Sequence, residues 1–346
     1  MSPVYGAKDA PDLGPWNDFV ASQPSGSLLQ TTQWGMLKGD FDWDWELVTI
    51  EDATAPRAGA LVLYQQLPLK AGSIAYVPRG PVVDWEDAET VTTLSAKIEE
   101  AARRRHAWAC WVEPKALDGS DAEQHLINAG FASSSRTIQP RSTILVDISP
   151  PEEDILMAMK SKTRYNIRLS GRKDVTTREG DMEDVSIFYD LIEETGERDE
   201  FGVHSRGYYR RAFELFKPRG EIGLILAEYE GEPLAGLMVF AVGDTAYYIT
   251  GASSNRHRNR MPAYAIQWAA IKWAKARGCT LYDLWGIPDA DEETLEAEFT
   301  ERSDGLWGVY RFKRGFGGDV VRYTGLWEKS LHPLYPAASH LYRYLH

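Results

Sequence analysis

The sequence predicts a mixed α/β (α+β) fold of two tandem domains that share one plan, and three observations carry the prediction. At 346 residues the chain has room for two globular domains of ~150 residues, each able to bury its own core. Its composition, 43% apolar with 12% aromatics, is that of a folded protein rather than a disordered one. Each half also runs through the same order of strand, strand, helix and strand. A duplicated unit, a mixed sheet flanked by helices, is the economical reading.

In the first half, residues 58–68 (AGALVLYQQLP) and 72–84 (GSIAYVPRGPVVD) are β-rich runs. Residues 93–106 (TLSAKIEEAARRRH) have a helical pattern, and 108–114 (WACWVEP) read as a buried strand. Ser149-Pro150-Pro151-Glu152 then has capping-box form, with Ser149 as N-cap, Pro150 at the first helical position and Glu152 at the third. A helix is expected from there through Met159 toward Arg168, which divides the chain into a first domain over 1–148 and a second over 149–346. Residues 196–207 (GERDEFGVHSRG) read as a polar loop before a helix from Tyr208 to Phe216. Strands over 235–242 (AGLMVFAV) and 245–254 (TAYYITGASS) lead into a helix over 263–278, and 279–288 (CTLYDLWGIP) supply the last strand. That helix is expected to bury a face of Tyr264, Trp268, Ile271 and Lys275, with Gly278 closing it. Ala58-Gly59 returns as Ala235-Gly236 and Cys110 returns as Cys279, each about half a chain later.

Acidic side chains number 51 against 38 basic, and the net charge of −13 argues against a generic nucleic-acid coat. Two stretches break the trend. Residues 160–174 hold six basic side chains and one acid, and 256–277 hold six basic and no acidic ones. Cationic patches on an acidic protein suggest one particular anionic ligand. Two cysteines cannot make a disulfide framework, and no run approaches the ~18 apolar residues of a membrane span. The first residues (MSPVYGAKDAPDLGP) lack the basic-then-apolar order of a secretory signal, so a cytoplasmic location is expected.

Motifs for a metal are missing from the sequence: the seven histidines are scattered, and neither HExxH nor CxxC occurs. There is no GxSxG elbow, and Cys110 and Cys279 lie in apolar strand patterns that suit structural thiols. Covalent catalysis is not expected. A duplicated unit of this order is similar to the acetyltransferase (GNAT) fold, whose pyrophosphate loop wants closely spaced glycines at a helix start. Residues 253–264 (SSNRHRNRMPAY) have Arg and Pro there instead, so no CoA cofactor is expected. In MKSKTRYNIRLSGRK (159–173), Met159, Thr163 and Ile167 continue a four-residue spacing from Ile155 while Lys160, Lys162, Arg164 and Arg168 project elsewhere. Such a helix can pack and still present cations to phosphates. Tyr310, Phe312 and Phe316 would hold Lys313 stiffly between them, and a held lysine can stabilise developing negative charge.

Several motifs, taken in order, carry a family resemblance: QTTQWGMLK (30–38), YVPRGPVVD (76–84), MKSKTRYNIRLSGRKDV (159–175), TGERDEF (195–201), and YDLWGIP followed by YRFKRGFGG. In these the chain resembles the Fem (FemABX) family of tRNA-dependent aminoacyltransferases, which build the interpeptide bridge of bacterial peptidoglycan. The resemblance implies two acetyltransferase-like domains, here in the compact form without a coiled-coil arm. It also implies an already activated aminoacyl ester attacked by the amine of a stem peptide. Such chemistry needs positioning, a proton path and oxyanion stabilisation, with neither metal nor cofactor.

Carried over residue by residue, the resemblance implies that Lys38 contacts the cell-wall precursor near its diphosphate, where a point charge suits the task. Tyr208 matches a precursor-binding tyrosine. The arginine usual four positions earlier is His204 here, with Arg206 close by as a substitute. Tyr248 matches an aromatic of the binding strand, and the family's second aromatic is replaced by Thr250. Asp84 corresponds to an acid near the acceptor amine, Lys313 to the residue beside the reacting carbonyl, and Phe312 to a wall of the pocket for the tRNA 3′ end. Lys160, Lys162, Arg164 and Arg168, or else Arg256, Arg258 and Arg260, would track acceptor-stem phosphates.

The expected function is therefore transfer of an amino acid from aminoacyl-tRNA to a peptidoglycan precursor, either UDP-MurNAc-pentapeptide or a lipid-linked form, gripped in a cleft between or beside the domains. The alternative is an acyl-CoA-dependent N-acyltransferase on the same scaffold. A monomer is expected, with transient membrane-surface contact open to the aromatic and basic C-terminal tail.

Overall fold

The computed structural model describes residues 14–52, 55–199 and 201–342, and these form two compact units. One comprises the residues up to Arg141 together with those from Arg322 onward, and the other runs from Ser142 to Val321. Residues 1–13 of the N-terminal stretch read for an export signal lie outside the described residues.

The first unit contains α1 (Gly14–Ser22), α2 (Thr32–Gly39), β1 (Trp43–Asp52), β2 (Ala55–Gln66), β3 (Ser73–Pro78), α3 (Ala88–Arg104), β4 (Ala107–Glu113), α4 (Asp121–Asn128) and β5 (Ala132–Ser133). The second opens with β6 (Ser142–Asp147), α5 (Glu152–Ala158), α6 (Ser161–Arg172), β7 (Thr176–Gly180), α7 (Asp184–Asp199) and α8 (Arg206–Phe216). It continues through β8 (Ile222–Tyr229), β9 (Glu232–Val242), β10 (Thr245–Ser253), α9 (Pro262–Lys275), β11 (Leu281–Asp283), α10 (Glu292–Glu298), α11 (Trp307–Lys313) and β12 (Asp319–Arg322). The chain then returns to the first unit with β13 (Trp327–Ser330) and α12 (Tyr335–Tyr342).

Among the described residues, a six-stranded sheet in the order β1-β2-β3-β4-β13-β5 forms one unit and a seven-stranded sheet in the order β12-β6-β11-β10-β9-β8-β7 forms the other. The duplicated plan is visible in the pairing. β2 and β3 are antiparallel, α3 crosses over, and β4 returns parallel to β3. In the same way β9 and β10 are antiparallel, α9 crosses over, and β11 returns parallel to β10. Each crossover helix lies against its own sheet through residues spaced by three and four. In α3 these are Val91, Leu94, Ile98, Ala101 and Ala102, and each large one stabilises the unit by roughly 1.5–3 kcal/mol through burial.

The observed division differs from the expected split at residue 148. Each sheet is completed by a strand from a distant part of the chain. β6 bonds antiparallel to β11, so residues from Ser142 belong to the second unit. β13 bonds antiparallel to both β4 and β5, which draws the chain from Arg322 onward into the first.

Four local expectations are also corrected. Ser149 is not an N-cap: its N–H donates to Asp147 Oδ1 at 2.9 Å, and Pro151 occupies the cap position of α5. The helix expected to run on toward Arg168 breaks at Met159 and Lys160, both extended. One tertiary bond and two local ones hold the break: Lys160 N–H donates to the Gly315 carbonyl at 3.0 Å, and Arg164 donates to the carbonyls of Met157 and Met159. Gly315 is required there, because a Cβ on it would lie 2.2 Å from Thr163 Oγ1. Ile155, Met159, Thr163 and Ile167 remain buried across the break. In α9 the buried face turns to Ala265, Ile266, Ala270, Ile271, Trp273 and Ala274. Tyr264 and Trp268 are only half-buried, and Lys275 donates to the Ile148 and Ser149 carbonyls. Finally, α7 extends through Asp199 into the stretch read as loop.

Candidate active site

β10 and β11 pair in parallel from Thr245 and Leu281 to Tyr247 and Asp283, and there they part. Two features open them. The register of β10 against β9 shifts between Tyr248 and Thr250, a bulge that re-aims side chains. Beyond β11, Trp285 takes a left-handed φ of 60° and turns the chain away. In mixed α/β sheets the space beyond the carboxyl ends of diverging parallel strands is a recurrent ligand site.

Lys313 stands at this opening. On α11 it follows Trp307 and Tyr310 at three-residue intervals, so it shares their inward face rather than pointing to solvent. It is 5% exposed, and its Nζ donates to the carbonyls of Gly286 at 2.7 Å and Trp285 at 3.3 Å. The same nitrogen lies 5.6 Å from the centre of the Tyr248 ring. Burial pulls its pKa down from 10.5 to about 7, against the opposing charge of Asp283. Such a group changes protonation near neutral pH, which suits proton handling or electrostatic stabilisation.

Asp283 is 3% exposed, at the end of β11, and accepts hydrogen bonds from the Thr143 hydroxyl and, at 2.7 Å, from Trp285 N–H. Burial pushes Tyr248 up to about 12, opposed by the neighbouring Gln267 amide, whose Oε1 accepts the Tyr282 hydroxyl at 2.9 Å. Gly251 is required beside it, since a Cβ there would meet the Tyr248 hydroxyl at 2.6 Å. Phe312 is half-buried, with its ring centre 5.1 Å from those of both Tyr264 and Phe316.

Tyr208 is buried beneath His204, the two rings stacked with centres 3.9 Å apart. Ser205 caps α8 by accepting Tyr208 N–H. Burial raises the pKa of the adjacent Tyr209, opposed by Thr250 at the bulge of β10, the residue standing where a second aromatic was expected. Arg206 is exposed, pairs with Asp190 at 2.7 Å and covers the Tyr189 ring, so its charge is already engaged.

Lys38 and Asp84 belong to the first unit. Lys38 ends α2, half-buried, 5.0 Å from the centre of the Trp34 ring, and desolvation lowers its pKa to about 8. Asp84 is exposed and accepts Glu86 N–H at 3.0 Å in the turn before α3.

The two cationic stretches meet in the second unit. Lys173 Nζ donates to the Asn259 carbonyl at 2.8 Å, and Arg260 donates back to the Lys173 carbonyl. Lys160, Lys162 and Arg168 are exposed, whereas Arg164 serves the helix break. Arg256 pairs with Glu232, and Arg260 lies over Tyr229 at 3.3 Å. No pyrophosphate cradle precedes α9: Pro262 lacks an N–H, and those of Tyr264 and Ala265 are bonded to the Met261 carbonyl. Burial raises the Cys110 and Cys279 thiols to about 12 and about 11, which keeps them protonated.

The FemAB family model matches residues 15–134, 125–232 and 222–343. The chain belongs to the FemAB family. Among relatives of this FemAB protein is the lipid II:glycine glycyltransferase of Staphylococcus aureus, 24% identical over 396 residues that cover 92% of this chain and 91% of that one. The crystal structure of FemX superposes with a TM-score of 0.84 at 24% identity, covering 93% of this chain and 96% of that one. A tandem GNAT protein from the clavulanic acid biosynthesis pathway shares the fold at a TM-score of 0.54 and 13% identity, over 96% and 99% of the two chains. The two-domain acetyltransferase-like architecture is thus that of known proteins.

Sequence reading singled out Lys313, Phe312 and Tyr248, which lie in one neighbourhood. It did not single out Asp283 or Thr143. Asp283 stood within the quoted YDLWGIP, and its signal was an acid inside an otherwise apolar strand.

Proposed function

We propose that this FemAB protein transfers an aminoacyl group from aminoacyl-tRNA to the amine of a peptidoglycan precursor's stem peptide. The observation that carries the reading is Lys313: a buried lysine, fixed by two carbonyls beside an aromatic ring at the opening of β10 and β11. The relative that acts on lipid II with glycine supports a lipid-linked acceptor and a small donor residue.

The amine nitrogen attacks the ester carbonyl carbon and forms the new C–N bond. Negative charge collects on the carbonyl oxygen, where the Lys313 ammonium stabilises it. The C–O bond to the terminal ribose then breaks, and the proton lost by the amine ends on the ribose oxygen. With a pKa of about 7, Lys313 can carry charge in one step and pass a proton in another. In the second unit Tyr208, stacked under His204, contacts the precursor and Phe312 the tRNA 3′ end, and in the first unit Lys38 and Asp84 are the residues assigned to precursor binding. Lys160, Lys162 and Arg168 follow the acceptor-stem phosphates in the cytoplasm, and Arg164 keeps that helix in place.

The test follows transfer of radiolabelled amino acids from a charged total-tRNA pool to UDP-MurNAc-pentapeptide and to the lipid-linked precursor, with wild type and Lys313→Ala in parallel. Transfer to either acceptor that is lost in the folded variant supports the reading. Failure of the folded wild type with both acceptors, together with a thermal shift by acyl-CoA, overturns it in favour of a CoA-dependent N-acyltransferase.

A further inference from the structure

Two recesses adjoin in the first unit, and the transferase reading uses neither. One, of about 150 Å³, is apolar and walled by Leu67, Ile74, Trp108, Trp111 and Tyr335. The other, of about 650 Å³, is lined by Lys70, Arg103, Arg104, Arg105, His106 and His332, and no carboxylate lines it. Trp108 and Ala71 form part of both walls. The arginines do have partners outside the lining: Glu99 holds Arg103, Glu100 and Glu46 hold Arg104, and Glu46 and Asp44 hold Arg105. These pairs fix the guanidinium groups along the wall, while Arg103 and Arg104 keep about half of their side-chain surface in solvent.

Two leucines flank the pair of recesses. Leu69 is fully exposed, between Pro68 of the apolar wall and Lys70 of the cationic one. Leu69 and Lys70 both take left-handed φ, 57° and 56°, a conformation that non-glycine residues adopt at a cost and that here turns an apolar side chain into water. Leu334 is 60% exposed, between His332 of the cationic wall and Tyr335 of the apolar one. The aromatic groups have their polar ends tied: Trp108 Nε1 donates to the Ala71 carbonyl, Trp111 Nε1 to the Tyr335 hydroxyl, and His332 stacks on Trp108 with ring centres 4.2 Å apart.

We infer that this face docks on a lipid bilayer bearing anionic phospholipid, with headgroup phosphates in the cationic recess and acyl chains against the apolar one. The apolar and cationic walls adjoin at Ala71 and Trp108, as a phosphate and its hydrocarbon adjoin in a lipid. A free phosphate would have no use for the apolar recess, and no soluble anion would need the exposed Leu69 and Leu334. Tyr and Trp with an apolar body and a tied polar end are also the side chains that settle at a membrane–water boundary. The inference does not depend on which group the protein transfers.

The full chain is tested by co-sedimentation with vesicles of phosphatidylcholine alone and of phosphatidylcholine mixed with phosphatidylglycerol, with no transferase substrate present. Binding to the mixed vesicles alone is expected, weakening as salt is raised. Leu69→Glu combined with Leu334→Glu changes two exposed side chains and is expected to reduce binding by roughly tenfold or more. Lys70→Glu, with the leucines intact, is expected to reduce it several-fold. Absence of binding to mixed vesicles, or equal binding by wild type and the double variant, overturns the inference. Thermal stabilisation by inorganic phosphate or a nucleoside diphosphate, lost in Lys70→Glu and accompanied by no vesicle binding, overturns it in favour of a soluble anion.

Discussion

Lys313→Met removes the buried ammonium and keeps a side chain of similar length. In the folded protein the lysine has a pKa of about 7 against an ordinary 10.5. Between those values the unfolded chain binds more protons than the folded one. The stability this group contributes therefore rises with pH across that window and is lowest below 7. Integrated from pH 6 to pH 9, the gain is roughly 3 kcal/mol, with a limiting slope of about 1.4 kcal/mol per pH unit. The methionine variant should lack this rise. Set against this is a pH-independent cost of about 1–3 kcal/mol, because the Trp285 and Gly286 carbonyls lose their donor. Urea unfolding at several pH values, read on the transition of the second unit, gives the difference between the two proteins. Carbon-13 NMR of the lysine Cε groups gives the titration directly, with one midpoint near 7 that is missing from the variant. Stability curves that run parallel from pH 6 to pH 9, or no lysine midpoint near 7 that the variant loses, would refute the assignment of a desolvated Lys313.

Deleting residues 322–346 removes β13 and the buried Trp327 from the first unit's sheet, so limited proteolysis should digest that unit first and leave a fragment spanning 142–321. Survival of an intact 14–141 fragment would contradict the topology. Changing Lys160, Lys162 and Arg168 together to alanine should leave the melting temperature nearly unchanged and flatten the salt dependence of tRNA binding by roughly two to three in log–log slope. Arg164→Ala should instead lower stability by about 1–3 kcal/mol, because the carbonyls at the helix break lose their donor. Filter binding and thermal melts separate the two outcomes. His204→Ala uncovers one face of Tyr208 and should raise the KM for precursor several-fold, in line with the ~0.5–1.5 kcal/mol of an aromatic contact, with kcat little changed. A fall in kcat at constant KM would place His204 in the chemistry instead.

What could be read from the sequence was local or ordered. Apolar spacing of two and of three to four residues marked the strands and the two crossover helices, because those periods follow from the backbone of each segment alone. The order of those segments exposed the duplication, and the order of the motifs pointed to the family. Tertiary structure decided whatever depends on partners distant in the chain. Nothing in residues 149–168 announces that the distant Gly315 carbonyl will take the Lys160 N–H where one helix stops and another starts. Nothing near 148 shows that β6 and β13 complete sheets whose other strands lie far away in sequence. Lys313 was legible as a candidate, but its character was not. A lysine on a short helix is ordinarily a solvated cation, and only the meeting of α11, the end of β11 and the bulge of β10 removes water from it and lowers its pKa. Periodicity is written into each segment, whereas desolvation is a property of everything that surrounds a group, and those surroundings exist only once the chain has folded.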